Sequence, residues 1–233
     1  MTHESPKKSF SEKLTQFFTS SRKLLLTIAG ILIGFLIVFG IISLIHTTQE
    51  KNAVSLFDKI ESALTDIQTK QYESSQLTKE QAVAAVFTDI DTLVKRYPKS
   101  VSSLQALLLK ADYYIQEKDY AKALDTYLQI IKINSKHYIT DIAKQNAAAM
   151  YEETGNIDKA IEMLEKLDAS LPKDSFLSKN HILFTLGRLY EQKQDFQKAA
   201  QMYTRLIATG ANDDWTKLSQ SRIIALKADK KIP

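Results

Sequence analysis

An all-α chain, with one membrane-crossing helix near its N-terminus followed by a solenoid of helical hairpins, is the fold class that this sequence of 233 residues predicts. Three observations carry the prediction. Residues 24–45, LLLTIAGILIGFLIVFGIISLI, hold three of the six glycines and no charge. Beyond Ile45 there are only three glycines and three prolines, scattered among stretches rich in Ala, Leu, Lys, Glu and Gln, which are good helix formers. No window alternates apolar and polar residues between hairpin turns, so strands are not expected.

The apolar run is read as a permanent anchor. At about 1.5 Å per residue it reaches roughly 33 Å, enough for a hydrocarbon core of about 30 Å. A cleaved export signal has a shorter apolar core and small residues at its cleavage site, whereas bulky Leu44 and Ile45 close this run. A core helix of a soluble protein would show a polar face, and none is present. Lys7, Lys8, Lys13, Arg22 and Lys23 precede the span, and Lys51 and Lys59 follow within twenty residues. The excess of positive charge before the span keeps a 1–23 tail in the cytoplasm and sends residues 46–233 across. In a Gram-negative cell this is a single-pass inner-membrane protein with a periplasmic domain.

Composition removes several classes of function. The chain has no cysteine, so disulfides, thiol chemistry, Cys-based zinc sites and a lipidated N-terminal cysteine are all excluded. The net charge of +4 resides mostly in residues 1–45, where five Lys/Arg face Glu4 and Glu12. The remainder carries 26 Lys/Arg against 25 Asp/Glu, too balanced for the basic stripe of a nucleic-acid binder. His3, His46, His137 and His181 have no partner at metal-ligand spacing, and no phosphate loop or nucleophile elbow is found. The carboxylates of EETGNIDKAIE read as a helix end, a turn and a capped second helix. No enzyme, cofactor or metal is expected.

Three segments of the second half superimpose: LLLKADYYIQEKDYAKALDTYLQIIKI, KQNAAAMYEETGNIDKAIEMLEKL and LFTLGRLYEQKQDFQKAAQMYTRLI. Each has a small residue (Ala111, Ala148, Gly187), a tyrosine three positions on (Tyr114, Tyr151, Tyr190) and an alanine twelve positions on (Ala123, Ala160, Ala199). A polar turn lies between them, and large apolar residues follow the alanine at four and seven positions. Small residues let two helices approach closely while bulky neighbours fill the gaps a turn away. One such hairpin cannot bury its apolar faces alone, so neighbours must stack. The pattern resembles the tetratricopeptide repeat, although the alanines are 37 and 39 apart rather than about 34. Repeats are expected at 104–137, 141–174 and 180–213, with a degenerate one at 53–98 and a capping helix at 215–227. Pro98 and Pro172 mark helix ends.

That resemblance implies a groove lined by the first helix of every hairpin. Transferred position by position, its facing residues are Gln105, Leu108, Asp112, Ile115 and Gln116; Ile142, Gln145, Ala149, Glu152 and Glu153; and His181, Phe184, Arg188, Glu191 and Gln192. Phe184 and Arg188 share a helix face and are the expected hot spot for a protein partner. The Lys/Asn set by which some family members clamp a chaperone's terminal carboxylate is missing. A basic tail, a glycine-containing span and hairpins ending in a short helix are also similar to the YfgM-type ancillary subunit of the bacterial SecYEG translocon. This implies partners among translocon subunits, periplasmic chaperones or emerging envelope proteins. The other reading is a self-associating scaffold of division or secretion machinery. Gly30 and Gly34 form the G-x-x-x-G spacing through which two spans could pair as a homodimer.

Overall fold

The computed structural model describes residues 22–133, 137–172 and 178–233; most of the basic tail and the turn after Pro172 lie outside them. The described residues form an all-α fold with no strand. The chain divides into two compact units, residues 1–52 and 53–233.

The first unit holds the whole apolar run. Helix α1 spans Arg22–Gln68, and its large side chains at Leu26, from Ile31 to Phe39, and at Ile41, Ile42 and Leu44 are exposed. The helix is long and apolar enough to cross a membrane. The sequence suggested a span ending at Ile45 and a fresh helix from about Ala53, but the two are one uninterrupted helix. The intervening HTTQEKN contains no glycine or proline. The Oγ1 atoms of Thr47 and Thr48 donate to the carbonyls of Ser43 and Leu44, both at 2.9 Å, so these polar side chains are satisfied within the helix.

The second unit begins on the same helix. Ala53, Ile60, Leu64 and Ile67 lie three, four or seven residues apart, hence on one face, and join a core with Val83, Val86, Ile90 and Leu93 of α2 (Lys79–Arg96). A short 3₁₀ turn, Gln71–Ser75, connects them. Thr78 and Gln81 close the start of α2 with a reciprocal capping box. After Pro98 the chain turns sharply into α3 (Val101–Gln116). Buried Ser103 donates at 2.7 Å to the carbonyl of Tyr97, which also accepts from the amide and hydroxyl of Ser100, so the end of α2 is tied to the start of the next helix. Ser100 caps α3 through the amide of Ser103.

Three hairpins follow: α3 with α4 (Tyr120–Ile133), α5 (Tyr138–Glu153) with α6 (Ile157–Ser170), and α7 (Lys179–Gln192) with α8 (Phe196–Ile207). Helix α9, Asp214–Ala228, packs on both α8 and α7. All three hairpin turns adopt one backbone shape. Lys118, Gly155 and Gln194 take left-handed φ values of 58°, 78° and 62°. The next residue's amide reaches back to the tyrosine carbonyl of its repeat: Asp119 to Tyr114, Asn156 to Tyr151 and Asp195 to Tyr190. This is the Schellman closure, for which only the second repeat has the preferred glycine.

The signature residues meet where the spacing requires. Ala111, Ala123, Ala148, Ala160, Gly187 and Ala199 are all buried, as are Tyr127, Leu164 and Tyr203 four positions after each alanine. The tyrosine of each repeat lies beneath the ammonium of the lysine just before the alanine. The distances are 5.5 Å for Lys122 over Tyr114, 5.6 Å for Lys159 over Tyr151 and 5.2 Å for Lys198 over Tyr190. Such exposed cation–π contacts contribute about 0.5–1 kcal/mol each.

The crossing in the last hairpin leaves no room for a side chain at Gly187. A Cβ on Gly187 would lie 2.4 Å from Cε1 of Tyr203. Ala148 faces the slimmer Leu164 at the matching crossing of the second hairpin. Gly187→Ala should therefore destabilise the chain by about 1–3 kcal/mol, the usual cost of overpacking. Adding Tyr203→Leu, which copies the second repeat's pair, should recover part of the loss. Urea unfolding followed by circular dichroism checks both; a neutral Gly187→Ala would contradict this crossing geometry.

Candidate functional site

Helices α3, α5, α7 and α9 stand as successive first helices, and a chain of polar contacts joins them along one face. At the first junction Tyr127 of α4 donates its hydroxyl to Oδ1 of Asp112 at 3.2 Å, while Asn146 of α5 donates to the Tyr127 oxygen at 3.3 Å. Between α5 and α7 the Arg188 guanidinium grips the Glu152 carboxylate with two nitrogens, one at 2.6 Å. Gln145 meets His181 Nδ1 at 3.1 Å beside it. Between α7 and α9, Arg222 holds Glu191 in a two-pronged pair and Asn180 donates to Asp213 at 2.7 Å.

Two cavities open on this side. The larger, about 470 Å³, lies among α1, the 3₁₀ turn, α2 and α3, with Leu64, Ile67, Leu109, Asp112 and Tyr113 in its walls. The smaller, about 200 Å³, lies between α5 and α7 against Gln145, Ala149, Glu152, His181 and Arg188. The buried Oε1 of Gln145 has no hydrogen-bond partner there.

The candidate groove residues fall into three groups. Asp112, Gln145, Ala149, Glu152 and Arg188 line one cavity or the other. Leu108 and Ile115 are half-buried, packed against the N-terminal core rather than standing free. Phe184 is half-buried too: its ring packs 5.7 Å from Tyr203 and 5.3 Å from Trp215. The expected hot-spot pair thus has partners within the chain, Phe184 in aromatic packing and Arg188 in its ion pair. Glu191 is engaged by Tyr203 and Arg222. Gln116 and His181 also line the cavities; among the rest, Glu153 and Gln192 are exposed, while Gln105 and Ile142 are half-buried.

Trp215 is the main residue that the sequence reading left out of this face. It begins the terminal helix and stacks on His181, centroids 4.4 Å apart. Its partner lies 34 positions earlier, beyond the reach of local spacing, although Trp at that point of a capping helix was a signal. Asn146 and Arg222 were likewise passed over, because their roles exist only across a junction.

The ionisable groups divide by environment. Burial pushes Glu191 up, but hydrogen bonds from Arg222 and Tyr203 outweigh it, and its carboxyl stays below the ordinary value. Glu152 raises the Arg188 guanidinium further. Burial, then the nearby positive charge of Arg188, lowers His181. Burial raises Asp112, and the Tyr127 hydroxyl offsets only part of that rise.

The family profile described as tetratricopeptide repeat-like domain matches residues 15–181, and one described as tetratricopeptide repeat matches residues 182–214. Photosystem I assembly protein Ycf3 of Prochlorococcus marinus is 28% identical over 145 residues, covering 57% of this chain and 84% of that protein. The crystal structure of a tetratricopeptide repeat protein from Parabacteroides merdae superposes with a TM-score of 0.55 at 14% identity. That match covers 75% of this chain and 61% of the other, so this chain spans less than two thirds of its length. Tetratricopeptide-like repeats of a putative kinesin light chain from Podosopora anserina give a TM-score of 0.54 at 18% identity, over 77% and 88%. At such identities the two structures support the fold alone.

The lowered value of His181 makes a sign-definite expectation. The native state favours neutral imidazole, so its contribution is complete above the unfolded value of about 6.5 and is lost as pH falls through the folded value. Trp215, the chain's one tryptophan, reports on the contact directly. Acidification from pH 7.5 to 5 should quench its emission and lower the thermal midpoint. His181→Phe should abolish the quenching step; an unchanged step in that variant would contradict the stacking.

Proposed function

Because this chain belongs to the tetratricopeptide repeat-like family, we propose that it is a membrane-anchored adaptor whose first-helix face holds a segment of a partner protein. The observation that carries this is the pair of cavities along that face, one among α1, α2 and α3 and one between α5 and α7. A preorganised groove loses less ordering entropy on binding than a flexible one. Nothing in the face resembles a catalytic set: its carboxylates are mostly tied to cations, and its histidine is stacked against an indole. The relative named as a photosystem I assembly protein agrees with a role in bringing proteins together.

The finer reading places α1 in the bacterial inner membrane and the repeat domain in the periplasm, with translocon subunits, chaperones or emerging envelope proteins as partners. It is supported by the exposed apolar surface of α1, by the lysines and arginines before the span, and by the order of parts shared with YfgM-type proteins. Gly30 and Gly34 favour a second reading, self-association through the span, since neither position carries a side chain and the two stand at G-x-x-x-G spacing. Another helix can therefore approach closely there.

The test is crosslinking in intact membranes, with protease added to spheroplasts in parallel. The adaptor reading expects the repeat domain to be digested from outside, and Sec subunits with periplasmic chaperones to be captured. A domain protected from protease while a periplasmic control is cut would overturn the topology. Capture chiefly of a second copy, abolished by Gly34→Ile, would replace the adaptor with the scaffold.

A further inference from the structure

The larger cavity has a chemistry of its own. Carboxylates on or at the ends of the first helices mostly have cationic partners: Glu117 with Lys79 at 2.6 Å, Asp141 with Lys144 at 2.9 Å, Glu152 with Arg188, Glu191 with Arg222 and Asp214 with Lys217, whereas Glu153 lies exposed at the end of α5. Asp112 has none among the described residues; it accepts a single hydrogen bond, from Tyr127. That bond does not neutralise charge, because the hydroxyl itself is fixed by Asn146 and stays protonated: burial, then the Asp112 charge, pushes Tyr127 far above the ordinary tyrosine range.

The surrounding wall suits a cation on an apolar stem. Leu64, Ile67 and Leu109 offer apolar surface, and the rings of Tyr72 and Tyr113 also line the space. Its charged lining is Glu61, Asp112 and Glu117 against Lys70 and Lys79, one carboxylate in excess. A lysine or arginine side chain would lay its methylenes along the apolar wall and bring its charge to Asp112. It would remove the excess charge and supply Asp112 with the kind of ion pair that other first-helix carboxylates already have.

We propose that this cavity is a specificity pocket for a basic side chain, lysine or arginine, presented by an otherwise apolar segment of the partner protein, with Asp112 as its recognising carboxylate. The proposal rests on the adaptor reading of the first-helix face and adds the charge that the partner must carry. The raised value of Asp112 agrees with it, since a counter-ion would favour the ionised form.

The test uses the 233-residue chain in detergent and two fluorescein-labelled peptides, Leu-Ala-Lys-Ala-Leu and the same peptide with norleucine for lysine, read by fluorescence anisotropy. The lysine peptide should bind at least about tenfold more tightly. Asp112→Asn should erase that preference with little change in melting temperature, because the position is exposed and an amide oxygen can still accept from Tyr127. Asp125→Asn, at an exposed position of α4, should leave the preference intact. Equal binding of the two peptides, or no binding of either at millimolar concentration, overturns the pocket. A preference that survives Asp112→Asn also overturns it. None of these outcomes touches the adaptor reading, which the crosslinking in membranes decides separately.

Discussion

Close approach of two helices at small residues is the constraint on which the rest of this structure depends. At each crossing a buried side chain from the second helix fills the space between Ala or Gly positions, and in two repeats of three that side chain is a tyrosine. Tyr127 and Tyr203 are both fully buried, yet their hydroxyls emerge on the far side, at Asp112 and Glu191 of the first helices. A buried tyrosine needs a partner for its hydroxyl. Here that need draws in the following helix as well, through Asn146 and Arg222. The core packing of one hairpin therefore sets the polar junction with the next.

The middle repeat makes its junction by other means. Leu164 occupies the tyrosine position and carries no hydroxyl, and the tie to the next repeat comes instead from Glu152 with Arg188 and from Gln145 with His181. Partly exposed ion pairs are individually worth little, about 0–1 kcal/mol. Their consequence is geometric: they occupy groups that a partner could otherwise engage. The small cavity survives beside them, while the larger one, among α1, α2 and α3, keeps Glu61 and Asp112 without an ion pair among the described residues. The face is thus mostly self-satisfied, and its capacity for recognition is concentrated where the self-satisfaction stops.

How far the sequence revealed this follows from the range of the interactions. The small–tyrosine–alanine spacing is local, and it placed Ala111, Ala148, Gly187 and their alanine partners in the buried crossings. The lysines before those alanines were equally local, a recurring signal that went unread. The continuity of α1 past Ile45 was missed because HTTQEKN looks polar enough to end a helix, although it holds no residue that would break one. Phe184 and Arg188 were placed on one helix face, but their partners Trp215 and Glu152 lie about 30 to 36 residues away. No spacing rule within one hairpin predicts a contact between hairpins, and the solvent exposure of a groove residue depends on such contacts.

The central claim is that the first-helix face, and not the outer second helices, meets the partner. A photo-crosslinking residue placed in turn at Gln116, Ala149 and Gln192 on first helices, and at Asp125, Glu162 and Gln201 on second helices, measures this directly in living membranes. All six positions are exposed, so none of the substitutions removes a core side chain. The account predicts that one and the same protein is captured from the first-helix positions and not from the second-helix set. Capture of that protein from Asp125, Glu162 and Gln201, with the first-helix positions silent, would contradict it.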